Sequence, residues 1–168
     1  MTPSAPSPGA IETHRLVDDG LVPNNANFPL RVYRAAFPAG DAGAETRITA
    51  HFTGTGWSGC WVNGIYDFHH YHATSHEVLG LARGWAEVQF GGPKGPVVRV
   101  VAGDVVLIPA GVGHCRIEGS PDLSVVGAYP GGMAYDTRRM TPAERLSALP
   151  LIARVPRPRR DPVTGQSM

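Results

Sequence analysis

The sequence predicts an all-β domain, a sandwich or barrel of short strands. Three observations lead there. Glycine occurs 21 times and proline 16 times among 168 residues, and beyond residue 9 they punctuate short segments instead of forming low-complexity tracts. Runs rich in Val, Ile and aromatic residues follow one another at short spacing with few helical patterns between them. Hydrophobic residues make up 42% and charged residues 17% of the chain, the balance of a sequence that builds a core.

The elements follow in order. Residues 1–10, rich in Pro and Ser, read as a flexible N-terminal segment. Residues 30–37 alternate and are bounded by Pro29 and Pro38, which suits an early strand. Residues 41–53 carry Ala, Glu and Arg without proline and fit a helix starting near Asp41. Residues 57–68 are strand-like with glycine interruptions, and 77–82 and 85–90 read as two strands joined in a hairpin near Arg83 and Gly84. A turn at 91–95, a strand at 97–101, a turn at 102–104 and a strand at 105–108 come next. Residues 114–118 and 123–129 complete the series. Thr141 then fits a helix cap, with Pro142 at the first helical position and Glu144 closing a capping box. That helix covers 145–149 and is ended by Pro150, leaving an extended tail. The organisation is thus a barrel with an N-terminal extension over 11–135 and a C-terminal helix and tail over 136–168.

Composition excludes several classes. The net charge of +1 gives no broad field toward nucleic acid or anionic membrane. The locally basic stretch at 154–160 is broken by Pro156 and Pro158 and reads as a solvated tail. No apolar run approaches the roughly 20 residues that span a bilayer. The N-terminal residues show neither the basic nor the apolar region of a signal peptide. Cys60 and Cys115 are too few for a disulfide framework, so a reduced, cytoplasmic setting is expected.

The chemistry concentrates in His70, His72, Glu77 and His114. His70 and His72 are two apart, so on a strand both imidazoles point to one face. Glu77 follows a bend at 73–75 and approaches the same point from a neighbouring strand, and His114 arrives after a Gly/Pro turn. Three imidazoles and one carboxylate suit one divalent transition metal, with Fe, Mn, Co, Ni, Cu and Zn all acceptable. His69 and His76 have the opposite parity, which places them away from the ion; His76 would replace Glu77 if the bend differs. His14 and His51 read as surface residues. Tyr66 and Phe68 share the parity of His70 and are candidate pocket walls, or plain core. Arg116 and Glu118 share the parity of His114: they pair with each other, or Arg116 holds a substrate carboxylate, or both lie at a solvated strand end. Cys115 has the opposite parity to His114.

These positions resemble the cupin family. Its first motif matches Gly64, His70, His72, Glu77 and Gly84, and its second matches Gly103, Pro109, Gly111 and His114, every gap in range. Glu118 stands where the family has Asn, which is not a ligand there. The resemblance spans 64–118 and extends over the strands from about 30 to 129. It implies a double-stranded β-helix (jelly-roll) barrel with short peripheral helices, often a homodimer. It also implies a metal-dependent enzyme acting on a small organic molecule, with a dioxygenase-like oxidoreductase favoured. The alternatives are a metal-dependent isomerase or lyase, or a non-catalytic cupin that binds a metal or small molecule. A reachable polar group beside the ion separates these readings, and Tyr66, Arg116 and Glu118 are the candidates; all three facing solvent would favour the binding protein.

Overall fold

The computed structural model describes residues 9–168. The predicted N-terminal segment therefore falls mostly outside the described residues. From the N-terminus run β1 (Ile11–His14), β2 (Leu30–Tyr33), α1 (Ala44–Gly54), β3 (Trp57–Asn63) and β4 (His70–Tyr71). Then come β5 (Glu77–Arg83), β6 (Trp85–Phe90), β7 (Val97–Val101), β8 (Val105–Ile108), β9 (His114–Gly119) and β10 (Ser124–Pro130). β11 (Arg138–Arg139) and α2 (Pro142–Arg154) close the chain's regular structure.

Two antiparallel sheets result, one ordered β1-β2-β8-β5-β10-β3 and the other β11-β4-β9-β6-β7. This is the all-β double-sheet jelly roll. β6 and β7 alternate buried and exposed residues, because one face meets the core and the other meets water. β5 and β8 are buried on both faces. Their inward side chains Leu79, Leu81, Val106 and Ile108 meet Val88, Phe90 and Val100 of the opposite sheet. Their outward side chains Val78, Val105 and Leu107 are covered by Ile48 and Phe52 of α1. Each such side chain contributes about 1.5–3 kcal/mol by leaving water. α2 packs Ala148, Leu151 and Ile152 against Val22, Tyr71 and Ala73 below β4. No helix among the described residues is long and apolar enough to cross a membrane.

Four expectations need correction. Arg83 and Gly84 do not close a hairpin: β5 and β6 belong to different sheets, and Gly84 turns the corner between them. Its φ is +75°, and a Cβ there would lie 2.2 Å from Ser120 Oγ, so no other residue turns as tightly. The strand from Trp57 ends at Asn63, and 64–69 is loop, so alternation does not carry from Tyr66 to His70. α2 runs through Pro150. Pro150 is exposed on the solvent side, and Leu151 and Ile152 pack beyond it, so burial outweighs the missing amide. The basic stretch at 154–160 is solvated as expected, with Arg154, Arg157, Arg159 and Arg160 exposed, and the residues that follow it dock on the barrel. Tyr33 Oη donates to Asp161 Oδ2 (2.6 Å), Trp57 Nε1 donates to the Arg160 carbonyl (2.9 Å), and Val163 and Met168 pack on the α1 side of the core. His51, expected at the surface, is half-buried with Nε2 on the Val163 carbonyl at 2.7 Å. Buried Tyr and Trp need partners for their polar ends, and the tail supplies them. β1 and β11 had no counterpart in the sequence reading, and the strand expected to carry both His70 and His72 is β4, which ends at Tyr71.

Candidate metal centre

Strand pairing brings the histidines together. β4 pairs with β9 at His70 and His114, so these side chains stand opposite each other on one face. Their ring centroids are 4.0 Å apart. His72 follows β4, and its ring lies 5.7 Å from that of His70 and 5.5 Å from that of His114. One ring nitrogen from each histidine lies within 4.8 Å of the other two. Glu77 opens β5 from the other sheet and turns Oε2 to within 3.2 Å of His72 Nε2 and 3.3 Å of His114 Nε2. All four side chains are buried.

The turn of the second motif supports this cluster. Gly111 donates its amide to the His72 carbonyl at 2.7 Å. It does so at φ +88°, where a Cβ would lie 2.4 Å from the Asn24 carbonyl oxygen.

Hydrogen bonding sets the tautomers. His70 Nδ1 lies 2.9 Å from the Phe68 carbonyl, His72 Nδ1 2.5 Å from that of Asp136, and His114 Nδ1 3.1 Å from that of Val112. A carbonyl only accepts, so each Nδ1 carries the proton and each neutral ring turns an Nε2 lone pair inward. Glu77 Oε2 is buried beside them without a hydrogen-bond partner. Three lone pairs and an orphaned carboxylate oxygen facing one another form a donor set for a cation.

The electrostatics favour a lone pair on His70 and an ionised Glu77, and at His72 a proton that a cation would have to displace. Burial and the His114 imidazole push His70 down to about 3. Burial would raise the Glu77 carboxyl, but His72 and His114 hold it well below the usual carboxylate range. Burial would depress His72, and the Glu77 charge outweighs it and raises it.

An open cavity of about 760 Å³ reaches this cluster, with His70, His72, Glu77 and His114 in its wall. Arg116 lines it, with Nε donating to the Ile65 carbonyl at 3.0 Å. Tyr66 lines it at the rim and is 56% exposed. Phe68 does not line it; it stacks on Tyr66 and lies under the Arg139 guanidinium. Glu118 is exposed and outside the cavity, so it cannot partner Arg116. A bulge explains this: Arg116 pairs with Val88 but Glu118 with Glu87, so Ile117 is the extra residue and parity inverts there. His76 is locked elsewhere, accepting from the Ala110 amide at Nδ1 (2.9 Å) with Nε2 on the Pro156 carbonyl (3.0 Å).

The sequence reading missed several residues. Tyr129 of β10 donates to Glu77 Oε1 at 3.1 Å and accepts from Trp61 Nε1 at 2.8 Å. Tyr135 stacks on Tyr129 at 4.1 Å between centroids. The Asp136 carboxylate accepts the amides of Ala73 and Thr74 at 2.7 and 3.1 Å, tying the 134–139 strap to the bend after His72.

The fold and the convergent histidines define a jelly-roll protein with a buried histidine triad, of the kind that could hold a metal ion, in its barrel. The chain is 45% identical to the uncharacterized protein YjlB of Bacillus subtilis (strain 168) over 156 residues, 92% of this chain and 91% of that one, and it belongs to the same family. No protein-family model matches the sequence. Among solved structures it is similar to acireductone dioxygenase from Bacillus anthracis, which has a cadmium ion in its active centre. That likeness is 16% identity, covering 51% of this chain and 58% of that one, with a TM-score of 0.37. A Bacillus subtilis oxalate decarboxylase mutant matches at 16% identity over 67% of this chain and 23% of its own, with a TM-score of 0.36.

Proposed function

We propose that this chain is a metal-dependent enzyme acting on a small organic molecule, with His70, His72, Glu77 and His114 holding one divalent transition ion. The observation that carries the reading is the orphaned Glu77 Oε2 facing three imidazoles whose Nδ1 atoms are all committed to carbonyls. A bound ion supplies Lewis acidity and, if it is iron or manganese, redox chemistry with dioxygen. The chain's own groups do the rest. The three carbonyls orient the imidazoles, Tyr129 orients Glu77, and Trp61, Leu79 and Leu123 wall the cavity with apolar surface.

Within this class we favour a dioxygenase-like oxidoreductase. Arg116 and Tyr66 reach the cavity, which supports an acting site over passive sequestration. A second reading, isomerase or lyase, draws on Tyr129: the residue lines the cavity and its hydroxyl holds a proton 3.1 Å from Glu77 Oε1. Oxygen uptake by the iron- and the manganese-loaded protein, screened over diketones, keto acids and thiol acids, decides between them. Uptake that disappears in His114→Ala is expected. No uptake with any compound, together with turnover of one of them by the zinc form, would replace the oxidoreductase with the isomerase or lyase.

A further inference from the structure

We infer that Arg116 anchors the substrate, and that the substrate is a small organic anion carrying a metal-binding oxygen group at one end and a carboxylate at the other. This rests on the proposed metal centre. Arg116 lies two residues beyond His114 on β9 and shares its inward face: His114 stands opposite Phe90 and Arg116 opposite Val88, both buried in the core. Strand spacing places its root about 6.6 Å from that of His114 along the cavity wall. The guanidinium spends Nε on the Ile65 carbonyl. Among the described residues its two Nη groups have no hydrogen-bond or ion-pair partner.

The site is shaped for this side chain. Gly119 makes room for its stem: a Cβ there would lie 3.3 Å from Arg116 Cδ. The Arg116 amide donates to the Tyr66 carbonyl at 2.9 Å, fixing the strand beneath it. Arg116 and Glu77 are the charged side chains of the described cavity lining, and the Glu77 charge is turned to the imidazoles. The free charge facing a ligand is therefore the Arg116 fork, whose parallel donors match a planar carboxylate. The Arg116 stem leans toward Gly119, away from His114, so a spacer separates the two ends of the ligand.

The test uses the zinc-loaded full chain and two probes, succinate and its monoamide succinamate. Each keeps one metal-binding carboxylate, and they differ only in the distal group. Calorimetric titration is expected to show wild type binding succinate about tenfold tighter or more. In Arg116→Gln the preference is expected to fall below about threefold, with zinc still stoichiometric by mass spectrometry. Arg116→Lys keeps the charge without the fork and retains an intermediate preference. With zinc in place, equal affinity of wild type for both probes, binding of neither, or an unchanged preference in Arg116→Gln overturns the assignment and leaves the metal centre standing. Wild type that takes up no zinc removes the metal centre, and the assignment with it.

Discussion

Three backbone carbonyls and one phenol determine how the ligand side chains present themselves. The carbonyls of Phe68, Val112 and Asp136 hold the imidazole protons, and Tyr129 holds one Glu77 oxygen so that the other is free. Tyr129→Phe therefore strips a donor from Glu77 and an acceptor from Trp61 Nε1 in one change. It is expected to lower unfolding stability by about 1–3 kcal/mol in urea. It is also expected to weaken zinc affinity roughly tenfold in a chelator competition. Unchanged zinc affinity would mean that Tyr129 does not orient Glu77. The four proposed ligands were legible in the sequence because three of them lie within eight residues and the fourth follows a Gly/Pro turn. Tyr129 and Trp61 were not. Their contact depends on β3–β10 pairing, which shifts register between Gly127 and Tyr129. It depends also on Gly127, where a Cβ would lie 2.1 Å from the Trp61 ring.

Element boundaries were read well wherever a strand is local and uniform. β6, β7 and β8 fall where the alternation and the turn residues place them. The misses occur where tertiary structure overrides local pattern. The Ile117 bulge reverses the side that Glu118 faces, and Pro150 sits inside a helix held by packing. Gly84 looks like a hairpin glycine and in fact turns the chain from one sheet to the other. Gly84→Ala is expected to destabilise the fold by about 1–3 kcal/mol, read from the urea midpoint at constant slope, because it adds a left-handed strain to a clash with Ser120. A change within about 0.5 kcal/mol would show that the corner relaxes freely.

The strap at 134–139 gives a pH test. Burial would raise the Asp136 carboxyl, but Arg138 Nε at 2.6 Å and the Ala73 and Thr74 amides hold it below its ordinary value. A folded value below the unfolded one contributes stability that is complete above about pH 4 and is lost as pH falls through the folded value. The Tm gap between wild type and Asp136→Asn is thus expected to hold from about pH 7 to 5 and to narrow below about pH 4. A gap that widens on acidification would contradict the strap's charge-assisted hold.

At the scale of the molecule, a two-sheet barrel is wrapped by segments that the sequence marked only as helix and tail. The last residues satisfy Tyr33 and Trp57 and cover the α1 side of the core, so deletion of 156–168 removes partners from buried polar atoms. The truncated chain is expected to lose several kcal/mol and to melt well below the full chain. An unchanged Tm would make the tail an ornament. The barrel was legible because its strands announce themselves one by one; the belt was not, because its contacts join residues more than a hundred positions apart.

The central claim is that His70, His72, Glu77 and His114 hold one ion. Metal content by mass spectrometry tests it most directly, on protein purified anaerobically from metal-defined medium, beside His70→Ala and His114→Ala. Close to one transition-metal ion per wild-type chain, lost in both variants while their circular dichroism stays native, is the expected result. Metal retained at full stoichiometry in both variants, or a wild-type chain that carries none and resists reconstitution, would contradict it.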